Sequence, residues 1–549
     1  MDLIRALEKQ IEEGNGDTIG LKRTRNSLLN ISARVPPEIL GGIFAWCLVR
    51  ETDRSFYPSS HFVGLQKGSY NFLLVCHHWF EVASRTPELW SFWGNTLRDW
   101  KRFHGRSGAA PIDLVLDGDR RDDLFDEPLR DAVRSRVMQG AIRQVHLRSN
   151  DCGILTSIIS SLTPDDNSTQ NENIESIVLG NGGFPSVDVS DFFIRSHLSK
   201  LRFLDLSGDF QFSSWDPLAS RTTLLTTLDL SIHTTSIPTS AQLPTLTAAQ
   251  LFSILTSNPG LQKLLLFDAA LPDVADWSTS KVPLFDLKEL SLSGQFRHLF
   301  GLLHRLMLPE TLDELHLNGF NPTIEEILQT LVPYIRDYFT RDARFQDRPG
   351  FFTLFAPGSA SISVNAAHDQ TTAPQNPPCV IFSIALAVIP PPDVLGQLFI
   401  DLIAPTPREY VVFLDTNLDI KLSEELFLMM PSIETLRLSD AELSEGFLQP
   451  NPDGPHANRK LFPSLRSLYL EHVNLDDNNW DHLITYLAHQ TSDGQIVSLE
   501  VLGDSPYMPP DVVDEVAGLV EEFTYHQNQE VDVRGSPLTC GYPTHEEDE

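Results

Sequence analysis

Leu201-Arg202-Phe203-Leu204-Asp205-Leu206, Leu225-Thr226-Thr227-Leu228-Asp229-Leu230 and Leu261-Gln262-Lys263-Leu264-Leu265-Leu266 share one six-residue form, Leu-x-x-Leu-x-Leu. With conservative swaps the form also stands at Ile142–Leu147, Ile174–Leu179, Leu287–Leu292, Leu312–Leu317, Ile433–Leu438, Leu465–Leu470 and Ile496–Val501. Outside one gap the copies follow each other at roughly 24 to 36 residues, a period that signals stacked repeats. Leucine at every second position puts the leucines on one face of a short strand and the variable residues on the other. Helical stretches such as Thr247–Thr256, Phe296–Met307 and Asn479–His489 separate the strands. Stacking such units in parallel buries one continuous core, and each unit depends on its neighbours. The expected fold class is α/β, with parallel strands on a concave side and helices on a convex side.

The gap runs from about Asn321 to Met430. It carries a helical pattern, Ile324–Phe339, and three strand-like runs: Phe351–Phe355, Val380–Ile384 and Tyr410–Leu414. Their spacing of roughly thirty residues predicts three degenerate repeats that continue the stack. Between them, 356–379 is rich in Ser, Ala, Asn, Gln and Pro and reads as a mobile loop. Leu448–Lys460 has turn chemistry, and Arg534–Glu549 ends in an acidic tail.

The N-terminal hundred residues have a different character. Met1–Glu13 places Leu3, Ile4, Leu7 and Ile11 at helical spacing, and Gly14-Asn15-Gly16 ends that helix. Arg34-Val35-Pro36-Pro37-Glu38-Ile39-Leu40 then opens a second helix, with Pro37 suited to a first helical position. Ile39, Leu40, Ile43, Phe44 and Leu48 make one apolar stripe, and Leu74, Val75, Trp79, Val82 and Ala83 make another. Helices this short bury too little surface to stand alone, so their apolar faces need a partner.

These residues resemble the F-box, the motif by which target receptors dock on the Skp-type adaptor of cullin–RING ubiquitin ligases. The resemblance is carried by Pro36-Pro37-Glu38-Ile39-Leu40, Ile43-Phe44, Leu74-Val75-Cys76, Trp79, Ala83 and Leu89-Trp90. It implies adaptor contacts from Pro36, Pro37, Ile39, Leu40, Ile43, Phe44, Leu74, Val75, Trp79, Leu89 and Trp90. One departure is an insertion of roughly twenty residues, Arg50–Ser69, where a compact F-box has a short link. Such an insertion costs little in loop-closure entropy. The hexamers in turn resemble leucine-rich repeats of an irregular kind, with Asp209, His233, Ala269, Gln295, Phe320, Ala441 and Val473 where an asparagine often sits. The layout this implies is a lead-in over 1–30, an F-box over 31–98, a solenoid over 99–505, and a terminal helix with acidic tail over 506–549.

Composition narrows the function classes. A net charge of −33 argues against nucleic acid and anionic membrane as main partners, since both require clustered Lys and Arg. The run Val380–Pro390 is too short to span a bilayer. Met1 begins a charged amphipathic stretch rather than a secretory signal. The five cysteines form no Cys-x-x-Cys pair and no zinc spacing, which points to reduced thiols in the cytosol or nucleus. Cys76-His77-His78 are adjacent on a helix and point in different directions, so they cannot converge on one metal ion. Neither a phosphate loop nor a nucleophile–base pairing is present. The expectation is a non-catalytic protein without a cofactor.

Binding then falls to the variable strand positions. They offer His146, Arg148, Phe203, Asp205, Thr227 and Asp229, then Lys263, Leu265, Phe267, Glu289, Ser291, Glu314 and His316, and further on Arg437, Tyr469 and Glu471. Target contacts are expected at Asp205, Asp229, Leu265, Phe267, Glu289, Glu314, His316, Arg437 and Tyr469. An apolar spot flanked by carboxylates suits a basic peptide or a protein with an apolar anchor. By resemblance the whole is a substrate-recognition subunit of an SCF-type ubiquitin ligase, linked to a Skp-type adaptor and through it to a cullin–RING ligase. The alternative is a leucine-rich-repeat interaction scaffold whose N-terminal helices only cap the stack.

Overall fold

Leucines at the repeat positions are almost completely buried, and that burial sets the strand register throughout. The structure is a computed structural model. It describes residues 2–12, 17–29, 35–52, 71–93, 97–117, 127–163, 173–183, 186–232, 246–268, 271, 281–310, 312–341, 350–355, 361–368, 379–385, 400–401, 411–416, 428, 430–439, 462–471, 473, 477–491, 496–502 and 510–525. The chain is mixed α/β with extensive parallel sheet and divides into two units, Met1–Leu261 and Gln262–Glu549.

In the first unit, helices Asp2–Glu12 and Thr18–Leu29 precede Pro37–Thr52, His77–Ser84 and Leu97–Ser107, with tight turns at Asn71–Leu74 and Pro87–Trp90. The strands Phe92–Trp93, Ile112–Asp117, Ile142–Ser149, Ser176–Asn181, Phe203–Gly208 and Thr227–Ile232 then pair in parallel, each with the next in the chain. Leucine faces leucine along the sheet: Leu204 pairs with Leu228 and Leu206 with Leu230, all within about 1 % of complete burial. A slip of one residue would turn every one of these to the opposite face. Helices Glu127–Met138, Cys152–Leu162, Ser190–Arg195, Asp216–Arg221 and Ala248–Ser257 follow the strands and add apolar faces such as Leu155, Ile158, Ile159 and Leu162 to the core. Local chemistry starts two of them. The Asp151 carboxylate accepts from the Gly153 and Ile154 amides, and Thr247 with Gln250 forms a reciprocal capping box. Asn258, buried at the end of the last helix, accepts from the Leu225 amide and donates to the Thr222 and Ile254 carbonyls.

In the second unit, strands Lys263–Asp268, Glu289–Gln295 and Glu314–Phe320 pair in parallel in chain order. The next three places depart from the expected order. Cys379–Ala385 lies beside Glu314–Phe320, followed by Ser361–His368 running antiparallel, then Gly350–Phe355, and only then Val411–Thr416. The three strands expected in the gap are present, but as part of a meander rather than as three successive repeats. Part of the stretch expected as a mobile loop, Ser361–His368, is its middle strand; Ile362 and Val364 alternate with polar residues inside a loop-like composition. The remainder, 356–360 and 369–378, lies outside the described residues.

Parallel pairing in chain order resumes through Thr435–Ser439, Ser467–Glu471, Ser498–Leu502 and Glu522–Tyr525. The last strand extends the sheet beyond the expected end at 505, with Phe523 and Tyr525 standing where leucines would. The expected helix over 324–339 is found as Ile324–Arg341 with a π-helical turn at Ile327–Leu331. Most of the insertion expected at 50–69 lies outside the described residues, as do the Leu448–Lys460 loop and the acidic tail; only its start, through Thr52, continues the preceding helix.

Candidate functional site

Among the described residues two surfaces stand out, and the first is N-terminal. Helix Pro37–Thr52 begins where the Leu40 amide donates to the Pro36 carbonyl at 3.0 Å. It packs on His77–Ser84, with the Phe44 and Trp79 rings 5.0 Å apart. Gly41 makes the close approach feasible: a Cβ there would lie 2.8 Å from the Thr86 hydroxyl. The turn Pro87–Trp90 folds under both helices, where Trp90 Nε1 donates to the Ala83 carbonyl at 2.8 Å.

This packing divides the residues expected at an adaptor contact. Leu40, Phe44, Leu89 and Trp90 are buried and form the module's own core, and Trp79 is half-buried. Pro36 and Pro37 are exposed, as are Ile39 (57 %), Ile43 (47 %), Leu74 (84 %) and Val75 (57 %). Helix Pro37–Thr52 is thus apolar on two sides. Leu40 and Phe44 face inward, while Ile39 and Ile43, also four residues apart, share an outer face. Among the described residues the aliphatic side chains of Ile39, Ile43, Leu74 and Val75 stand outside the core that Leu40, Phe44, Leu89 and Trp90 form.

A set of aromatic and arginine contacts fastens this module to the sheet. Phe92–Trp93 pairs with Ile112–Asp117. The Arg106 guanidinium stands 4.4 Å from the centre of the Trp90 ring, and Phe103 also contacts that ring. Arg136, 3 % exposed, lies 5.4 Å from the Trp93 ring centre and donates to the Gly108 carbonyl (2.6 Å) and the Ser107 hydroxyl (2.8 Å). Burial pushes the Arg136 pKa below the ordinary arginine value, so the cation is held at a desolvation cost. Sequence reading did not single out Arg136, because its partners lie almost thirty residues away.

The second surface is the variable face of the strands. In the first unit it is largely satisfied from within. Arg148 reaches across Gly180 to pair with Asp205 at 3.1 Å, and a Cβ on Gly180 would lie 2.7 Å from Arg148 Cγ. Asp205 is only 6 % exposed, so the structure places this expected target contact in an internal ion pair. His146 is buried too, and its pKa falls to about 3 through burial and, next, the Arg148 charge. Asp229 is half-buried and accepts from the Ser231 hydroxyl. Asp113 and Arg143 form a two-point pair at 2.6 and 2.9 Å.

In the second unit the face is more open. Cross-strand register lines up Lys263, Glu289 and Glu314 in one row, Leu265, Ser291 and His316 in the next, and Phe267, Ser293 and Asn318 in a third. Lys263 pairs with Glu289 at 2.5 Å, and His316 Nε2 stands 3.9 Å from Glu314. Burial and then the Glu289 charge raise the Glu314 pKa, against the pull of Lys263. Burial, with Lys263 second, lowers that of His316. Leu265 and Phe267 are half-buried. Further along the chain Arg437 pairs with Glu471 at 2.5 Å, and half-buried Tyr469 stands in the register row of Arg437 and Glu500.

Among the described residues, no group of three or more His, Cys, Asp or Glu could hold a metal ion, and no helix is long and apolar enough to cross a membrane. Cys76 precedes the first turn of its helix, while His77 stands 3.6 Å from Glu81. The arrangement can bind through apolar contact and through charge. No protein-family model matches the chain, and no curated protein matches it.

Proposed function

We propose that this chain is a target receptor of an SCF-type ubiquitin ligase. Its N-terminal helices would serve as an F-box on a Skp-type adaptor, and its strands would form a leucine-rich-repeat solenoid that holds a target protein. Other subunits would supply the chemistry, and the receptor would contribute proximity. The observation that carries the reading is the exposure of Ile39, Ile43, Leu74 and Val75 beside the buried Leu40, Phe44, Leu89 and Trp90. Fully burying one such side chain is worth about 1.5–3 kcal/mol, so a few of them suffice for docking. The repeated Leu-x-x-Leu-x-Leu strands in parallel register support the solenoid.

A second reading has its own support. Phe92–Trp93 pairs with the first long strand, and Trp90 and Trp93 are both 1 % exposed, which is what a helical cap over a sheet edge requires. Co-expression with a Skp-type adaptor separates the two. The receptor reading expects the full chain to co-purify with the adaptor, and an Ile39→Asp, Leu74→Asp double variant to remain folded yet lose it. Failure of the folded wild-type chain to co-purify leaves the capping scaffold as the better account.

A further inference from the structure

The rows on the second unit's variable face carry unequal charge. Lys263 pairs with Glu289 at 2.5 Å, with side chains 20 % and 17 % exposed, and its charge also acts on Glu314. Glu314 sits directly across from Glu289 in register and its side chain is 37 % exposed, the most open of the row. Among the described residues its one ion-pair neighbour is His316, 3.9 Å away, whose pKa is lowered by burial and by Lys263. Glu289 and Glu314 thus share the single Lys263 charge, and because like charges opposed across strands are unfavourable, a second cation at Glu314 would relieve the row. Leu265 and Phe267 stand in the adjoining rows, half-buried, two and four residues along the strand from Lys263.

We infer that this face binds an extended segment of a partner protein that carries an arginine or lysine and an apolar residue at a fixed separation. The inference rests on the receptor reading only in taking this face as the one that meets a target. Sheet geometry gives the separation. Glu314 and Leu265 differ by two strand spacings, about 9.6 Å, and by two residues along the strand, about 6.6 Å, hence about 12 Å apart. For Phe267 the rise is about 13 Å and the distance about 16 Å. At about 3.3 Å per extended residue, the cation and the apolar anchor are three to five positions apart. Charge-assisted pairing with Glu314 and burial of the anchor against Leu265 or Phe267 then act together.

The test uses the purified full chain and immobilised Gly/Ser peptides that carry one Arg and one Leu or Phe at separations of one to seven residues. A polylysine and the same peptides with Glu in place of Arg are included. Binding is expected to peak at separations of three to five and to vanish with Glu. Glu314→Gln should weaken the best peptide about ten-fold or more. Phe267→Ala should weaken the peptides whose anchor lies at the longer separations. No binding, binding without a preferred separation, an equal response to polylysine, or full binding by folded Glu314→Gln would each overturn the inference. Adaptor co-purification is measured on the same preparations. Its failure beside intact peptide selectivity would remove the receptor reading and leave this one standing.

Discussion

Replacing Arg136 by methionine keeps most of the side-chain stem and removes the guanidinium that ties the N-terminal module to the sheet. Lost are donations to the Gly108 carbonyl at 2.6 Å and to the Ser107 hydroxyl at 2.8 Å, and the position 5.4 Å from the Trp93 ring centre. Charge-assisted bonds of this kind contribute about 1.5–3 kcal/mol each. Relief of the cation's desolvation offsets part of that, leaving a net loss of about 3 kcal/mol. For a unit of this size about 3 kcal/mol lowers Tm by roughly 6–12 °C. Thermal unfolding followed by tryptophan fluorescence reads the loss, since Trp93 lies at the site. The control is Arg134→Met, whose side chain is 50 % exposed and 3.9 Å from Asp131; it should change stability by at most about 0.5 kcal/mol. Equal shifts for the two variants would refute the reasoning.

Further expectations follow from the sheet of the first unit. Gly180→Ala should push Arg148 off Asp205 and cost about 2–3 kcal/mol in urea unfolding, because a buried carboxylate loses the Arg148 charge. The same change in an Arg148→Ala background should be close to neutral, and additive effects would exclude the mechanism. Asn258→Ala leaves the Leu225 amide and the Thr222 carbonyl without that side chain and should cost about 2–4 kcal/mol; an unchanged urea midpoint would show that these bonds carry no stability. His146 has a folded pKa of about 3 against 6.5 for the free side chain. Its contribution is therefore complete above about pH 6.5 and is lost as pH falls toward 3, because the unfolded state takes up the proton first, at about 1.4 kcal/mol per pH unit. Wild type should lose stability more steeply than His146→Gln between about pH 6.5 and 4.5, and parallel profiles would contradict the assignment.

The leucine hexamers made the strands legible because a period of two, repeated, admits one inward face. Ile142, Val145, Leu147, Leu204, Leu206, Leu436 and Leu438 are all buried as that period requires. The meander in the second unit was not legible in its order. Phe351–Phe355 and Cys379–Ala385 read alike whichever neighbour they pair with, and strand direction is set by connections that composition does not reveal. Glu522–Tyr525 escaped because aromatic residues replace its leucines. At the N-terminus the sequence shows an apolar helix, but not which of two apolar stripes is turned inward. Phe44 meets Trp79 and Leu40 is buried with it, while Ile39 and Ile43 are left outside. Asp205 looked available for a target because Arg148, fifty-seven residues earlier, gives no local sign of reaching it.

Calorimetric titration of the purified full chain with a purified Skp-type adaptor tests the central claim most directly. Wild type should bind, and Leu74→Asp should bind at least about ten-fold more weakly, since burial of a leucine is worth about 1.5–3 kcal/mol. Leu224→Asp, which alters a 49 % exposed leucine away from the N-terminal helices, should bind as wild type does. Absence of binding by the folded wild-type chain, or equal loss in Leu74→Asp and Leu224→Asp, would contradict the receptor reading.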